Sequence, residues 1–326
     1  MIYHLFSWWV SPFTADSVMG RVGVYGVAIF YVLSGITMFH VYGDRMSTVR
    51  DTRDFFIKRI FRIFPLLWLV TIAALVIQPR PFAWSDLVLN LTGLFGFVSW
   101  DTYFSAGVWS IGNELFFYAL FPIIVALART SRAAFIGSGM ILGGGFIYFA
   151  FVKLSPTATI GEQWVSYINP ANQAFLFFLG ILVAYAARRV RMRQATAWFV
   201  LIVGVVIFVA WPVGTNAITD GTRLVFTLAC VAICAAAYQL TFTAPRILHA
   251  PLVFLGEASY SIYLIHPVVN IAVLETPIAS LPKGAIIAFI TVTTLLVSWL
   301  SYRFLEKPMM KVGRTLTVKM RSALNP

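Results

Sequence analysis

Charge is scarce in this chain of 326 residues. Asp, Glu, Lys and Arg make up 11% of it against 60% apolar residues, a balance that excludes a soluble domain. Roughly 20 apolar residues in a helix cross a hydrocarbon core about 30 Å thick, and the sequence holds many such runs. The short alternating segments of a membrane β-barrel are missing. Cysteine is nearly absent: Cys230 and Cys234 stand four apart on one helix face, in poor geometry for a disulfide, and two lone thiols make no metal site. No Gly-x-Ser-x-Gly elbow occurs, so a hydrolase triad has no support. No internal repeat is visible, which argues against an inverted-repeat transporter.

What remains is an all-α, polytopic integral membrane helical bundle in a single domain, residues 1–326, with a basic cytoplasmic tail at 309–326. Ten spans are expected, at 1–13, 21–40, 61–77, 107–128, 133–152, 167–187, 195–213, 223–242, 251–274 and 284–305. Of the 24 Lys and Arg, all but Arg21, Arg80, Lys153, Arg223 and Lys283 then fall on one side. The positive-inside rule puts that side, with both termini, in the cytoplasm. The net charge of +12 thus marks topology and gives no reason to expect a nucleic acid. The first stretch ends at Trp8-Trp9 and Ser11-Pro12 and is too short to cross, so either its helix does not cross fully or, the favoured expectation, it begins upstream of Met1. Residues 78–106 carry Pro79, Pro81 and a modest apolar run at 87–98, read as an outer interfacial or re-entrant helix. Residues 155–163 and 214–221 read as outer turns.

Glu114 is the one acidic residue well inside a long apolar stretch. A carboxylate near the bilayer centre costs about 2.5–3.5 kcal/mol on insertion scales, so it marks a functional site with a partner to be found. Ser110, Asn113, Glu114 and Tyr118 share part of one helix face, with Trp109 beside them. Helix-helix hydrogen bonding would also use such a stripe, although Ser or Asn would suffice for it. His4 lies roughly 9 Å below the Trp8-Trp9 interface at 1.5 Å per residue, and Glu114 roughly 10 Å below the outer end of its helix. A carboxylate at matching depth would fix the imidazole tautomer and make the other nitrogen a better base. Arg59 and Arg62 share a face next to Lys58 at the cytoplasmic end of the third span, as a pair of guanidinium forks for one anion or as a positive-inside anchor. The ninth span is unusually polar, with Glu257, Ser259, Tyr260, Tyr263 and His266, and reads as a structural network or as part of a binding surface. His40 and His249 lie near the cytoplasmic interface and need no special role.

As a set, these pieces resemble membrane acyltransferase family 3 over nearly the whole chain. They are His4, Gly26-Val-Ala-Ile-Phe-Tyr-Val-Leu-Ser-Gly35, the run from Lys58 to Pro65, Trp109-Ser110 with Glu114 and Tyr118, the run from Leu255 to Pro267, and Glu306-Lys307-Pro308. The resemblance implies a bacterial inner-membrane, multi-pass enzyme that O-acylates carbohydrate hydroxyls of exopolysaccharide, lipopolysaccharide or related glycans, lipid-linked acceptors included. The implied donor is acyl-CoA, acetyl-CoA first, with no metal; polysaccharide-assembly proteins and membrane lipid are implied partners. It makes His4 the catalytic histidine and Glu114 its acidic companion. It gives donor binding to Arg59 and Arg62 with Lys58, and leaves Trp109, Ser110, Asn113, Tyr118, Tyr260 and His266 for the substrate. The chain departs from the family at Lys58, where an Arg is common, and at Ala28, where a polar residue often stands. The family's Arg eleven residues before the histidine would fall upstream of Met1. The rival reading is a transporter or flippase of a lipid-linked sugar or acyl group, with Glu114 coupling protons.

Overall fold

The structure is a computed structural model that describes residues 1–14, 17–213, 216–241 and 245–323. Among these there is no strand. Gly214 and Thr215 of the expected turn, and Phe242 at the end of an expected span, lie outside the described residues. The helices are α1 (Ile2–Trp9), α2 (Val18–Tyr42), α3 (Val49–Ile77), α4 (Trp84–Thr92), α5 (Phe95–Val98), α6 (Val108–Thr130), α7 (Arg132–Tyr148), α8 (Trp164–Tyr167), α9 (Pro170–Ala187), α10 (Gln194–Ala210), α11 (Asp220–Gln239), α12 (Arg246–Glu257), α13 (Ser259–Leu274), α14 (Lys283–Ser301) and α15 (Lys307–Ser322). Single π turns extend α7 through Phe149–Lys153 and join α14 to α15 through Tyr302–Glu306.

Seven described helical segments are long and apolar enough to cross a membrane, eight if α12 and α13 count as one bent span. The difference from the expected ten lies in that bend, in α10 with 17 residues, and in α1 with 8. Two helix boundaries differ from the sequence reading, and the tail gains a shape. The third helix, expected to span 61–77, begins at Val49 as α3, started by a reciprocal cap: the Asp51 N–H donates to Thr48 Oγ1 (3.2 Å) and the Thr48 N–H to Asp51 Oδ2 (3.0 Å). Charge stops a helix from entering hydrocarbon but does not stop it from being a helix. The expected span 251–274 is broken at Ala258, where the axis turns by 70°, next to Gly256 and a Ser-Tyr-Ser run. The basic tail is helix over 307–322 and lies along α3. Gly313 meets Phe61, Thr317 is buried, and Arg321 pairs with Asp51 (2.7 Å) and Asp54, a stripe at four-residue spacing.

The chain gathers into two compact units. One comprises residues 1–10, 48–112 and 243–326, hence α1, α3 to α5, the first turn of α6, and α12 to α15. The other comprises residues 11–47 and 113–242, hence α2, the rest of α6, and α7 to α11. The second unit is built on the crossing of α2 and α9, where Gly35 and Gly180 let the backbones touch: a Cβ on Gly180 would stand 2.0 Å from the Val32 carbonyl oxygen. Lipid tails are as apolar as Leu, so such close backbone packing is what associates helices in a membrane. Arg223 is buried here and donates to Asn172 Oδ1 (2.7 Å), its guanidinium over the Phe146 ring, so this intramembrane cation is held by an amide and a π face.

Candidate active site

In the first unit, α1 and α13 are joined by two pairs of side chains, each pair one helical turn apart. His4 Nδ1 lies 2.8 Å from His266 Nε2, and Trp9 Nε1 donates to Asn270 Oδ1 at 2.8 Å. Trp8 stacks on both imidazoles, with ring centroids 5.1 Å from His4 and 5.9 Å from His266. His266 is fully buried, His4 half-buried and Trp8 exposed. On α13 positions 266 and 270 share one face, as do positions 4 and 8 of α1, which brings the Trp8 ring onto the imidazoles, while Trp9, five residues after His4, reaches Asn270 from the next turn. At its other nitrogen His266 Nδ1 donates to the Ile262 carbonyl, 3.0 Å away and one turn back. Pro267 has no N–H to give the Tyr263 carbonyl.

Trp8, Pro267 and Asn270 form one wall of a cavity of about 690 Å3. Gln78, Arg80, Ser105 and Glu275 bring polar groups to the rest of it. The Gln78 amide donates to Glu275 Oε1 at 3.4 Å, and Arg80 donates to the Tyr103 carbonyl at 2.7 Å. Gly107 enters α6 at φ +93°, a conformation glycine adopts without strain, and packs on the Tyr263 ring. Ser110, buried, donates to the Gly107 carbonyl at 2.9 Å, and Trp109 is buried on the same turn.

About one and a half turns towards the start of α13 lies a second cluster. Arg62 donates to Glu306 at 2.8 Å, Ser261 donates to the other carboxylate oxygen, and the Arg62 guanidinium lies over the Tyr260 ring. Tyr260 donates to the Ile63 carbonyl at 2.8 Å. Glu306 is fully buried, so its charge is balanced by Arg62 inside the unit. Lys58 and Arg59 stand half-buried on the same helix.

Glu114 belongs to the second unit, where its carboxylate accepts from Tyr118 and, at 3.3 Å, from Ser34. Asn113, fully buried, donates to the Tyr31 hydroxyl at 3.0 Å. The expected companions His4 and Glu114 thus sit in different units, and inside its own unit His4 meets His266. Within the first unit the candidate residues pair as His4 with His266 and Arg62 with Tyr260, and within the second Glu114 pairs with Tyr118. Sequence reasoning assigned no role to Asn270, although it stands four residues after His266, or to Glu306, although its motif was in view.

The acyltransferase domain model of acyltransferase family 3 matches residues 1–303. The chain belongs to that family. Curated relatives agree. A Staphylococcus aureus (strain COL) protein named "Putative O-acetyltransferase" is 25% identical over 96% of this chain and 55% of its own length. "Putative peptidoglycan O-acetyltransferase YrhL" of Bacillus subtilis is 23% identical over 89% of this chain and 51% of its own. "Putative acetyltransferase ORF330" of Acidianus two-tailed virus is 26% identical over 81% and 77%. The chain spans about half the length of the two bacterial relatives. No solved structure matches it.

Proposed function

We propose that this family member is a membrane O-acyltransferase that moves an acyl group, acetyl first, from acyl-CoA to a carbohydrate hydroxyl of the cell envelope. The observation that carries the proposal is the half-buried imidazole of His4, held by His266 and Trp8 beside the polar-walled cavity of about 690 Å3. A base needs a fixed orientation and access to a hydroxyl; the contacts with His266 and Trp8 support the first, and the half-exposed ring next to Trp8 of the cavity wall supports the second. The names of the Staphylococcus and Bacillus relatives support an O-acetyl product, and that of the Bacillus relative a glycan acceptor.

In the proposed reaction the hydroxyl gives its proton to His4 as its oxygen attacks the thioester carbonyl. The tetrahedral intermediate collapses, the C–S bond breaks, and the CoA thiolate recovers the proton. The products are the O-acyl ester and CoA thiol. Trp8 and Asn270 line the acceptor's side, with Gln78, Arg80 and Glu275 within reach of further hydroxyls. Lys58 and Arg59 are proposed to receive donor phosphates; Arg62, committed to Glu306, shapes that end of α3.

Mass analysis of envelope glycans from cells with the gene, without it, and with His4→Ala tests the reading. Base-labile acyl ester is expected only with the unaltered gene. Wild-type ester levels with His4→Ala would falsify it.

A further inference from the structure

We propose that His266 is a positioning residue that sets the tautomer of His4, leaving His4 Nε2 as the bare nitrogen that takes the acceptor's proton. The inference rests on His4 being the base, and it adds a second histidine as the group that makes it one.

The argument runs from a carbonyl outwards. A backbone carbonyl only accepts, so the proton between His266 Nδ1 and the Ile262 oxygen, 3.0 Å apart, belongs to His266. A neutral imidazole carries one N–H, so His266 Nε2 is then an acceptor. His4 Nδ1, 2.8 Å from it, must therefore donate. That places the single proton of a neutral His4 on Nδ1 and leaves Nε2 with its lone pair. A cationic His266 would reverse the order, but the ring is fully buried and neither imidazole makes an ion pair among the described residues of its unit. Among those residues His4 Nε2 has no hydrogen-bond partner. Trp8, stacked on both rings, holds them nearly parallel, 11° apart.

The pair also has a use during transfer. When His4 Nε2 takes the hydroxyl proton, His4 becomes an imidazolium whose Nδ1–H already points at a basic nitrogen. The charge is shared across the hydrogen bond while Ile262 still accepts from the far side. The Nε2 proton then leaves with the CoA thiol and both rings return to their starting tautomers. A carboxylate in the place of His266 would orient His4 equally well, but only by burying a second formal charge in the apolar bundle. The position is written into α13 twice: His266 reaches back one turn to Ile262, and Pro267 withholds an N–H from the Tyr263 carbonyl.

The test compares His266→Leu, His266→Gln and His4→Ala in the full chain, each checked for folding by its melting temperature. Gln can present its amide oxygen where Nε2 stood, accepting from His4 Nδ1–H; Leu cannot. Two quantities are read: transfer of radiolabelled acetyl-CoA onto endogenous envelope glycan in membrane vesicles, and the 15N spectrum of histidine-labelled protein in bilayers. With only four histidines in the chain, the His4 signals are identified by their loss in His4→Ala. His266→Leu is expected to slow transfer ten- to a hundred-fold at unchanged apparent KM for acetyl-CoA and to turn His4 into a mixture of tautomers. His266→Gln is expected to restore most of the rate and the Nδ1–H form. If His4→Ala is inactive while His266→Leu keeps wild-type rate and tautomer, the positioning role fails and the base survives. If His4→Ala itself transfers at the wild-type rate, the proposed function fails and this inference with it.

Discussion

Glu306 shows what a single buried carboxylate asks of its surroundings. It is fully buried, accepts from Ser261, and is paired with Arg62 at 2.8 Å, whose side chain keeps 21% of its exposure. The two partners are therefore not equivalent. Arg62→Met strands a charge in the interior, which on the scale of broken buried pairs costs about 3–5 kcal/mol. Glu306→Gln keeps an acceptor for Ser261 and frees an Arg that reaches solvent, so it should cost less. Combining them removes the stranded charge, and the double variant should melt above Arg62→Met alone. Melting of the three purified proteins in one detergent gives the order, and a double variant no more stable than Arg62→Met would refute the pairing as a stabilising unit. The residues of this cluster were legible one by one: the Lys58 to Pro65 run, the polar start of α13 and the Glu306-Lys307-Pro308 motif all stand out in the sequence. Their meeting was not. Arg62 and Glu306 are 244 positions apart and His4 and His266 are 262, while helical periodicity relates only neighbours a turn or two away. Depth-matching against the bilayer suggested Glu114 as the partner of His4, and depth is one coordinate of three; it gave no sign of His266, the partner that His4 has inside its own unit.

Elements were easier to read than their ends. Apolar length located the cores of α2, α3, α6, α7, α9, α11 and α14, because the membrane imposes length and composition together. It said nothing of how far a helix continues beyond hydrocarbon, which is why α3 begins twelve residues earlier than the expected span, at a cap visible as Thr48-Val-Arg-Asp51. Nor could it find the 70° break at Ala258, since an apolar run reads the same straight or bent. The crossing of α2 and α9 makes a clean test of element packing. Gly180→Ala would force a methyl group to 2.0 Å from the Val32 carbonyl oxygen, so the helices must separate, at about 1–3 kcal/mol for overpacking. Gly26→Ala, on α2 itself, meets nothing within 4 Å and improves helix propensity. The first should lower the melting temperature and the second leave it level or raise it. Equal melting of both would mean that α2 and α9 do not approach at Gly180.

For the whole molecule the decisive quantity is the distribution of charge about the candidate spans. The candidate span from Trp164 to Ala187 separates a turn, in which Thr159 donates its N–H to Glu162 at 2.7 Å, from the basic run Arg188, Arg189, Arg191 and Arg193. If arginines are retained on the cytoplasmic side, Arg191 faces the cytoplasm and Gly161 the outside. Both positions are exposed, and the two native thiols, Cys230 and Cys234, are buried, so an introduced cysteine reports against a silent background. In spheroplasts, Gly161→Cys should react with a membrane-impermeant maleimide directly and Arg191→Cys only after permeabilisation. The reverse pattern would invert the charge reading and leave the span intact. Labelling of both from the same side would remove the span. The same maleimide applied to Lys58→Cys extends the reading to the donor end of α3: labelling only after permeabilisation is the outcome expected if these basic residues meet a cytoplasmic acyl-CoA.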